Sequence, residues 1–517
     1  MYANTLAMKN LPHISKIYSA IPYGFDGQII EVEGDINHGL PAFNIVGMAN
    51  KTISEARERV RSAIVNSGFF FPAHKVTINL APADLHKDGS YLDLPIALSV
   101  LTLSKQLRLE DTKKRLFVGE LSLDGHLKPI RGIINIVEAA KLQGIEEIYL
   151  PAANLPQASL INGPKIYGVE TLQSLFLHLK GQKLIDLPSK VKTPPKTPNT
   201  NENAILLDYI RGQKFAKRAI EIAVAGHHNV LISGPPGAGK TLLAKAATNL
   251  LPSLTTEERI AVTKIYSIAN LKTDGIIIDR PFRSPHHTAS PASIIGGGGG
   301  ATPGEISLAH SGILFLDELP EFPRQVLEAL RQPLEEKSIT ISRASQKVTY
   351  PADFMLIATM NPCPCGYLGD SSHKCKCTEQ QIQNYRKKLS GPLFDRIDLF
   401  VNVDRVDNAD LFQNPSENPC EHSVVKNTIT EGLFRQYLRY KKPGFFNSSL
   451  SSHQVSKLIK LTPSAQKLLQ EASTKLNLSA RAYFKVIKVA RTIADLEPTD
   501  QVEETHIAEA LSYRIPN

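Results

Sequence analysis

A chain of 517 residues, with 59 Lys and Arg against 50 Asp and Glu, carries a net charge of +9 and has room for about three domains. Its 42% hydrophobic and 21% charged residues describe a globular protein and argue against a disordered or fibrous one. No run approaches the roughly 18 uncharged apolar residues of a membrane helix, the first 25 residues hold no signal-peptide core, and five Cys make no disulfide framework. A cytoplasmic protein with no membrane partner is expected.

In chain order, residues 28–33 alternate like a strand with one wet face. Residues 52–66 set Ile53, Ala56, Val60, Ala63 and Ile64 at helical spacing. Residues 76–80 alternate again, 95–103 and 133–142 read as buried helices, and 147–150 as a short strand. Residues 187–203 hold four Pro and three Lys, which predicts an extended, semi-rigid linker. It divides an N-terminal domain, 1–186, from a C-terminal block. There a helical run, 213–225, precedes a strand at 230–233. Further buried strands at 313–316 and 355–359 predict a parallel α/β sheet over 204–405. From about 450 the pattern is helical (451–461, 463–473, 480–496 and 502–514), which predicts an all-helical domain within 406–517.

The octet Gly234, Pro235, Pro236, Gly237, Ala238, Gly239, Lys240 and Thr241 fits G-x-x-x-x-G-K-[ST]. It leaves an apolar strand and opens a helix, the context that motif requires. Its backbone N–H groups cradle phosphates, Lys240 reaches the β- and γ-phosphates, and the Thr241 hydroxyl coordinates Mg²⁺. ATP and Mg²⁺ are therefore the predicted cofactors. The strand 313–316 ends at Asp317 and Glu318, at the edge where open α/β sheets bind ligands. Asp317 can hold the Mg²⁺ shell and Glu318 can polarise the attacking water. Asn361, at the tip of the third strand, can orient that water; before Pro362 it also fits a plain turn.

Cys363, Cys365, Cys375 and Cys377 form C-x-C and C-x-C pairs in an insert at 363–377, with His373 nearby. Four soft ligands suit a closed Zn²⁺ site, although the spacing is tighter than the usual C-x₂₋₄-C. Free thiols and a redox switch are the alternatives. Cys420 stands alone.

Several long motifs carry a resemblance: Arg211-Gly212-Gln213, the phosphate loop, 282–288 (FRSPHHT), 303–309 (PGEISLA), the acidic strand, 361–366 (NPCPCG) and 390–398 (SGPLFDRID). Together they resemble the ComM/YifB family of magnesium-chelatase-like AAA+ ATPases over essentially the whole chain. The resemblance implies an AAA+ P-loop core with a helical lid, working as a ring, usually a homo-hexamer. It also implies ATP-driven branch migration of DNA during recombination of incoming DNA in natural transformation. Lys240, Thr241, Asp317, Glu318 and Asn361 match the Walker A, Walker B and sensor-1 positions. Arg396 matches the arginine finger acting across a subunit boundary; a surface ion pair with Asp395 or Asp398 is the rival reading. Arg481 matches the lid arginine, with Arg491 the alternative one helix further on.

A ring of this kind would grip single-stranded and branched DNA through phosphates, with little sequence preference. Residues 338–350 alternate around a basic tip, so Arg343 and Lys347 are candidate DNA contacts on a pore hairpin. Arg283, His286 and His287, followed by five glycines at 296–300, form a second candidate loop; buried structural histidines are the rival. Recombination proteins are further candidate partners.

Residues 87–98 and 119–133 are similar to the Lon protease catalytic domain, which implies the ribosomal-protein-type α/β fold that Lon shares with the RadA tail. Lon-type proteolysis needs a Ser–Lys pair. Aligning Asp88 and Gly89 puts Tyr91 where the Ser belongs, and aligning Pro129 puts Ile134 where the Lys belongs. Ser90 is one position off, so peptidase activity is not expected. Ring assembly, DNA binding and partner docking stay open for this domain. Two rivals to a DNA motor remain: a chelatase-like ATPase remodelling a protein partner, and an ATP-dependent protease or its unfoldase.

Overall fold

The computed structural model describes residues 14–47, 51–83, 85, 87, 90–187, 205–269, 271, 275–298, 301–343, 346–370, 373–389, 391–405 and 421–514. Outside them lie nearly all of the expected linker, Asp88 and Gly89 of the Lon-like motif, Gly299 and Gly300, Ser390 and Cys420; the side chain of Arg343 lies outside as well. The chain divides into two compact units. One comprises the described residues of Met1–Thr197 together with Arg259–Ile277, the other those of Pro198–Glu258 and Ile278–Asn517.

The first unit is built on a seven-stranded mixed sheet. Its order is Ala42–Val46, Lys75–Ala81, Asp26–Asn37, Ile14–Tyr23, Arg115–Phe117, Glu147–Pro151 and Lys165–Val169. Ile14–Tyr23 and Asp26–Asn37 form a hairpin whose register brings Tyr23 opposite Asp26. Gly24 supplies the positive φ (+59°) that so short a turn needs. Alternate residues of the strands, Ile17, Ile30, Val32, Val76, Ile78 and Leu80, are buried against the helices Lys51–Asn66 and Asp93–Leu103.

This unit also takes in a segment of the expected ATPase core. In the helix Thr256–Ile268, Lys264 is buried, donates to Glu138 at 2.5 Å and lies 4.0 Å from the centre of the Phe25 ring. Ser267 Oγ accepts the N–H of Gly132 at 2.8 Å. A buried ammonium is tolerated only when paired, and here a carboxylate and a ring face do the pairing.

The second unit holds a five-stranded, all-parallel sheet. Its order is Phe282–Arg283, Ile313–Leu316, Met355–Met360, Val230–Ser233 and Leu399–Asn402. The three central strands are buried along their whole length, which explains their continuous apolar runs. Parallelism sends the loop after each strand to one edge of the sheet. The helices Glu421–Tyr440, Ser452–Leu458, Pro463–Lys475, Ala480–Leu496 and Glu504–Ser512 follow, and their apolar faces share one hydrophobic core with the sheet. The fold is thus α/β with a parallel sheet and a helical C-terminal region, as expected.

Candidate functional site

Lys240 opens the helix Lys240–Leu250, and the loop before it turns on Gly237 and Gly239, both at φ +82°. L-residues rarely adopt that conformation, so glycine is required there. Nothing approaches either Cα face within 4 Å, and the bared N–H groups sit at a helix N-terminus, which favours anions. Lys240 Nζ donates to the Gly234 carbonyl at 2.5 Å and to Asn361 Oδ1 at 2.8 Å. Burial pushes its pKa down, against the pull of Asp317 and Glu318. The strands preceding Gly234 and Asn361 are neighbours, with Ser233 opposite Met360, so register alone brings Lys240 and Asn361 together.

Asp317 and Glu318 end the next strand, where Leu316 lies opposite Ala358. Both carboxylates are exposed. Thr359, buried in the middle strand, joins them: its hydroxyl donates to Asp317 Oδ1 and accepts the Glu318 N–H at 3.1 Å. Glu318 sits in the left-handed region at φ +54°. Such a backbone costs about 1–3 kcal/mol and persists where its surroundings hold it. The sequence reading missed Thr359; its only signal is a lone hydroxyl near the end of an apolar strand. The oxygens of Thr241, Asp317 and Glu318 suit a hard cation such as Mg²⁺, which would bridge and neutralise phosphate oxygens.

The second basic loop is partly exposed, at Ser284, His286 and Thr288, while Arg283 and His287 are half-buried. Arg283 belongs to the edge strand and forms a two-pronged ion pair with Glu305 at 2.5 and 2.6 Å. His287 Nδ1 lies 3.9 Å from Glu318 Oε2, and its ring is 4.2 Å from that of the exposed His286. These histidines therefore border the acidic pair. Glycine at 296 has a packing reason: a Cβ there would lie 2.4 Å from Ile341 Cδ1.

Ile341 belongs to the expected hairpin, Ser338–Arg343 paired with Gln346–Pro351. Ile339, Ile341, Val348 and Tyr350 form its buried face; Lys347 and Thr349 point to solvent.

Arg396 lies at the other end of the sheet. It precedes the strand Leu399–Asn402, and its carbonyl accepts from the Asn229 side chain, just before the strand that feeds the phosphate loop. Four residues of strand, about 13 Å, separate that edge from Gly234. Arg396 pairs with Glu335 and donates to the Pro392 carbonyl at 2.6 Å. Arg481 Nη2 reaches the same Glu335 at 3.7 Å. Arg396 holds the Glu335 carboxyl below its ordinary pKa. Sequence gave no sign of Glu335, which lies 61 residues from Arg396. Asp398, the rival partner, instead accepts the Asn229 N–H at 3.0 Å and lies 3.5 Å from His228. Burial works to raise its carboxyl, but the His228 hydrogen bond and the Lys485 charge hold it at about 2. Arg491 lies on the same helix as Arg481, Ala480–Leu496, not one helix further on as expected; it is buried, bound to Asp495 at 2.8 Å and to the carbonyls of Thr499 and Asp500.

In the first unit Ser90 donates to Glu120, and the buried Lys87 donates to the carbonyls of Pro82 and Leu85. The four cysteine sulfurs of the insert lie within 4.8 Å of one another. No helix among the described residues is long and apolar enough to cross a membrane.

Known families match three stretches of the chain. The family profile "Magnesium chelatase, subunit ChlI" matches residues 206–411, "Subunit ChlI of Mg-chelatase" matches 32–154, and "Magnesium chelatase, subunit ChlI C-terminal" matches 421–514. The chain is 40% identical over 499 residues to Competence protein ComM of Haemophilus influenzae, covering 96% of this chain and 97% of the relative. It is 42% identical over 501 residues to YifB of Salmonella typhimurium, covering 96% of each. A more distant relative is the DNA replication licensing factor Mcm6 of Anopheles gambiae, 24% identical over 229 residues, covering 41% of this chain and 25% of the relative.

Proposed function

The chain belongs to the ComM/YifB family of magnesium-chelatase-like AAA+ ATPases, and from that premise we propose an ATP-driven ring motor that migrates branched DNA during homologous recombination of incoming DNA in natural transformation. ATP–Mg²⁺ binds at the loop 234–241, with Lys240 on the phosphates and Thr241 and Asp317 around the ion. Mg²⁺ supplies charge neutralisation on the phosphate oxygens. Glu318 polarises the attacking water, and Asn361 orients it beside Lys240. Thr359 fixes the angle between Asp317 and Glu318.

The observation that carries the ring is the separation of the two halves of this machinery. Arg396 and Arg481 lie together at the sheet edge opposite Lys240, about one strand length away, so they serve the nucleotide of a neighbouring protomer. A closed ring of such head-to-tail contacts gives every site one arginine pair. A hexamer is the expected closure. In the separate protomer Glu335 sheathes both guanidinia, and assembly transfers them to phosphate.

Three observations favour DNA as the track. Two relatives carry names tied to competence and to DNA replication, the net charge is +9, and Lys347 stands exposed on a hairpin. Arg343 shares that hairpin's tip. We assign DNA contact to this hairpin before Arg283, whose guanidinium is engaged by Glu305. Recombination proteins are candidate partners, the cytoplasm is the expected compartment, and the cysteine cluster is read as a Zn²⁺ site. A second reading, a chelatase-like ATPase remodelling a protein partner without DNA, is favoured by the names of the matching profiles. ATPase rates with and without single-stranded and branched DNA, at two salt concentrations, separate the two. The DNA motor predicts stimulation that weakens with salt, because phosphate contacts release counterions. A rate indifferent to DNA overturns it in favour of the remodeller.

A further inference from the structure

The insert after Asn361 gathers four thiols of which none is exposed. Cys363 and Cys365 have sulfurs 3.4 Å apart, Cys363 and Cys375 3.7 Å, and Cys365 and Cys375 3.6 Å. A disulfide needs about 2.05 Å. A tetrahedron with metal–sulfur bonds of about 2.3 Å has edges of about 3.8 Å. The observed spacings match the tetrahedron. The short C-x-C spacing is no obstacle, since Pro364 projects outward and leaves both flanking sulfurs on one side.

The surroundings suit thiolates. The Cys377 N–H points at Cys375 Sγ at 3.5 Å, and the backbone N–H groups of Lys376 and Tyr367 bond to the Cys365 sulfur. A dication on four thiolates leaves two negative charges, and Lys374 and Lys376 flank it at the surface. His373 is no ligand: its Nδ1 lies 3.2 Å from the Arg405 guanidinium.

The cluster also touches the nucleotide site. Cys363 follows Asn361 by two residues, and the Gly366 N–H donates to the Cys363 carbonyl at 2.9 Å. Gly366 is buried at φ +85°, and a Cβ there would lie 2.8 Å from Pro236 Cδ in the phosphate loop.

We propose that Cys363, Cys365, Cys375 and Cys377 bind one zinc-class divalent ion as a tetrathiolate, and that this ion sets the wall of the nucleotide site by holding Asn361 and Gly366 against the phosphate loop. The second half rests on the nucleotide reading of Lys240; the first half does not. Binding replaces four S–H protons with four metal–sulfur bonds and changes no oxidation state.

The test uses the full chain, purified in reductant without added metal. Elemental analysis is expected to find about one zinc per protomer, released by a mercurial titrating four thiols. The double variant Cys375→Ser, Cys377→Ser is expected to lose the metal and bind a fluorescent ATP analogue about tenfold more weakly. Gly366→Ala, and wild-type protein stripped by a chelator, check the coupling without changing the ligands. The first is expected to keep its zinc and weaken nucleotide binding; the second is expected to recover binding when zinc returns. Lys240→Ala is expected to keep its zinc and lose nucleotide, which separates failure of the ATP reading from failure of the metal site. Metal-free protein with all five of its thiols free, or disulfides among the four cluster cysteines found by mass spectrometry, overturns the site. Full nucleotide affinity in both the stripped protein and the double variant overturns the coupling.

Discussion

Each unit sets a lysine beside a turn, and the two lysines have opposite fates. In the first unit Lys87 is 1% exposed, and its ammonium serves the carbonyls of Pro82 and Leu85. Ser90 beside it is tied to Glu120. In the second unit Lys240 is half-exposed, shares its bonds with Asn361, and feels two open carboxylates. The difference lies in the backbone. Lys240 begins a helix after two left-handed glycines, so N–H dipoles and its ammonium converge on one open spot. Lys87 closes a turn on itself. A nucleophile or a phosphate site is thus made by where donors point, and residue type alone decides little.

The largest effect separating the units belongs to Glu318. Glu318→Gln is expected to lower ATP turnover by about 10²–10⁴-fold while nucleotide still binds. A phosphate-release assay beside an ATP-binding titration checks it, and a retained rate would move the base elsewhere. Thr359→Val comes next. It leaves the Glu318 N–H without its acceptor, a cost of about 1–3 kcal/mol, and frees Asp317. We expect about tenfold lower turnover and a higher Mg²⁺ requirement; an unchanged Mg²⁺ titration would contradict the clamp.

In the first unit the sharpest handle is Asp93. Burial lifts its carboxyl to about 6, although Arg59 lies 3.0 Å away. The fold then holds a proton that the unfolded chain releases near pH 4. Stability contributed by this group therefore falls as pH rises from about 4 to about 6, by at most about 3 kcal/mol. Asp93→Asn should flatten that slope in thermal melts, and an identical slope would refute the assignment. Smallest of all, Ser90→Ala should leave ATP turnover unchanged. A change there would tie the first unit to the chemistry.

The parts legible in the sequence were those that local pattern encodes. The phosphate loop, the acidic strand end and the central strands lie within a few residues of their own signals, and the helix 480–496 came out with its bounds intact. What stayed hidden depends on distant partners. Ile14–Tyr23 buries Ser15 and Ser19, and these hydroxyls break the alternation that marks a strand. Glu421–Tyr440 mixes Gly432 and β-branched residues into a helix of weak periodicity; a Cβ at Gly432 would lie 3.4 Å from the Asp495 carbonyl oxygen. Lys264 finds Glu138 across 126 residues, so nothing local reveals that its helix leaves the ATPase unit. The arginines were found by motif, but their common anchor Glu335 was not.

The central claim is that one protomer supplies Lys240 and its neighbour supplies Arg396. It is tested most directly by mixing two inactive variants, Lys240→Ala and Arg396→Ala, and measuring ATP turnover. Each alone should be nearly dead. Random mixing should place an intact phosphate loop beside an intact arginine in about a quarter of the sites, so turnover should return toward that fraction. No recovery, in mixtures shown to co-assemble, would contradict the account.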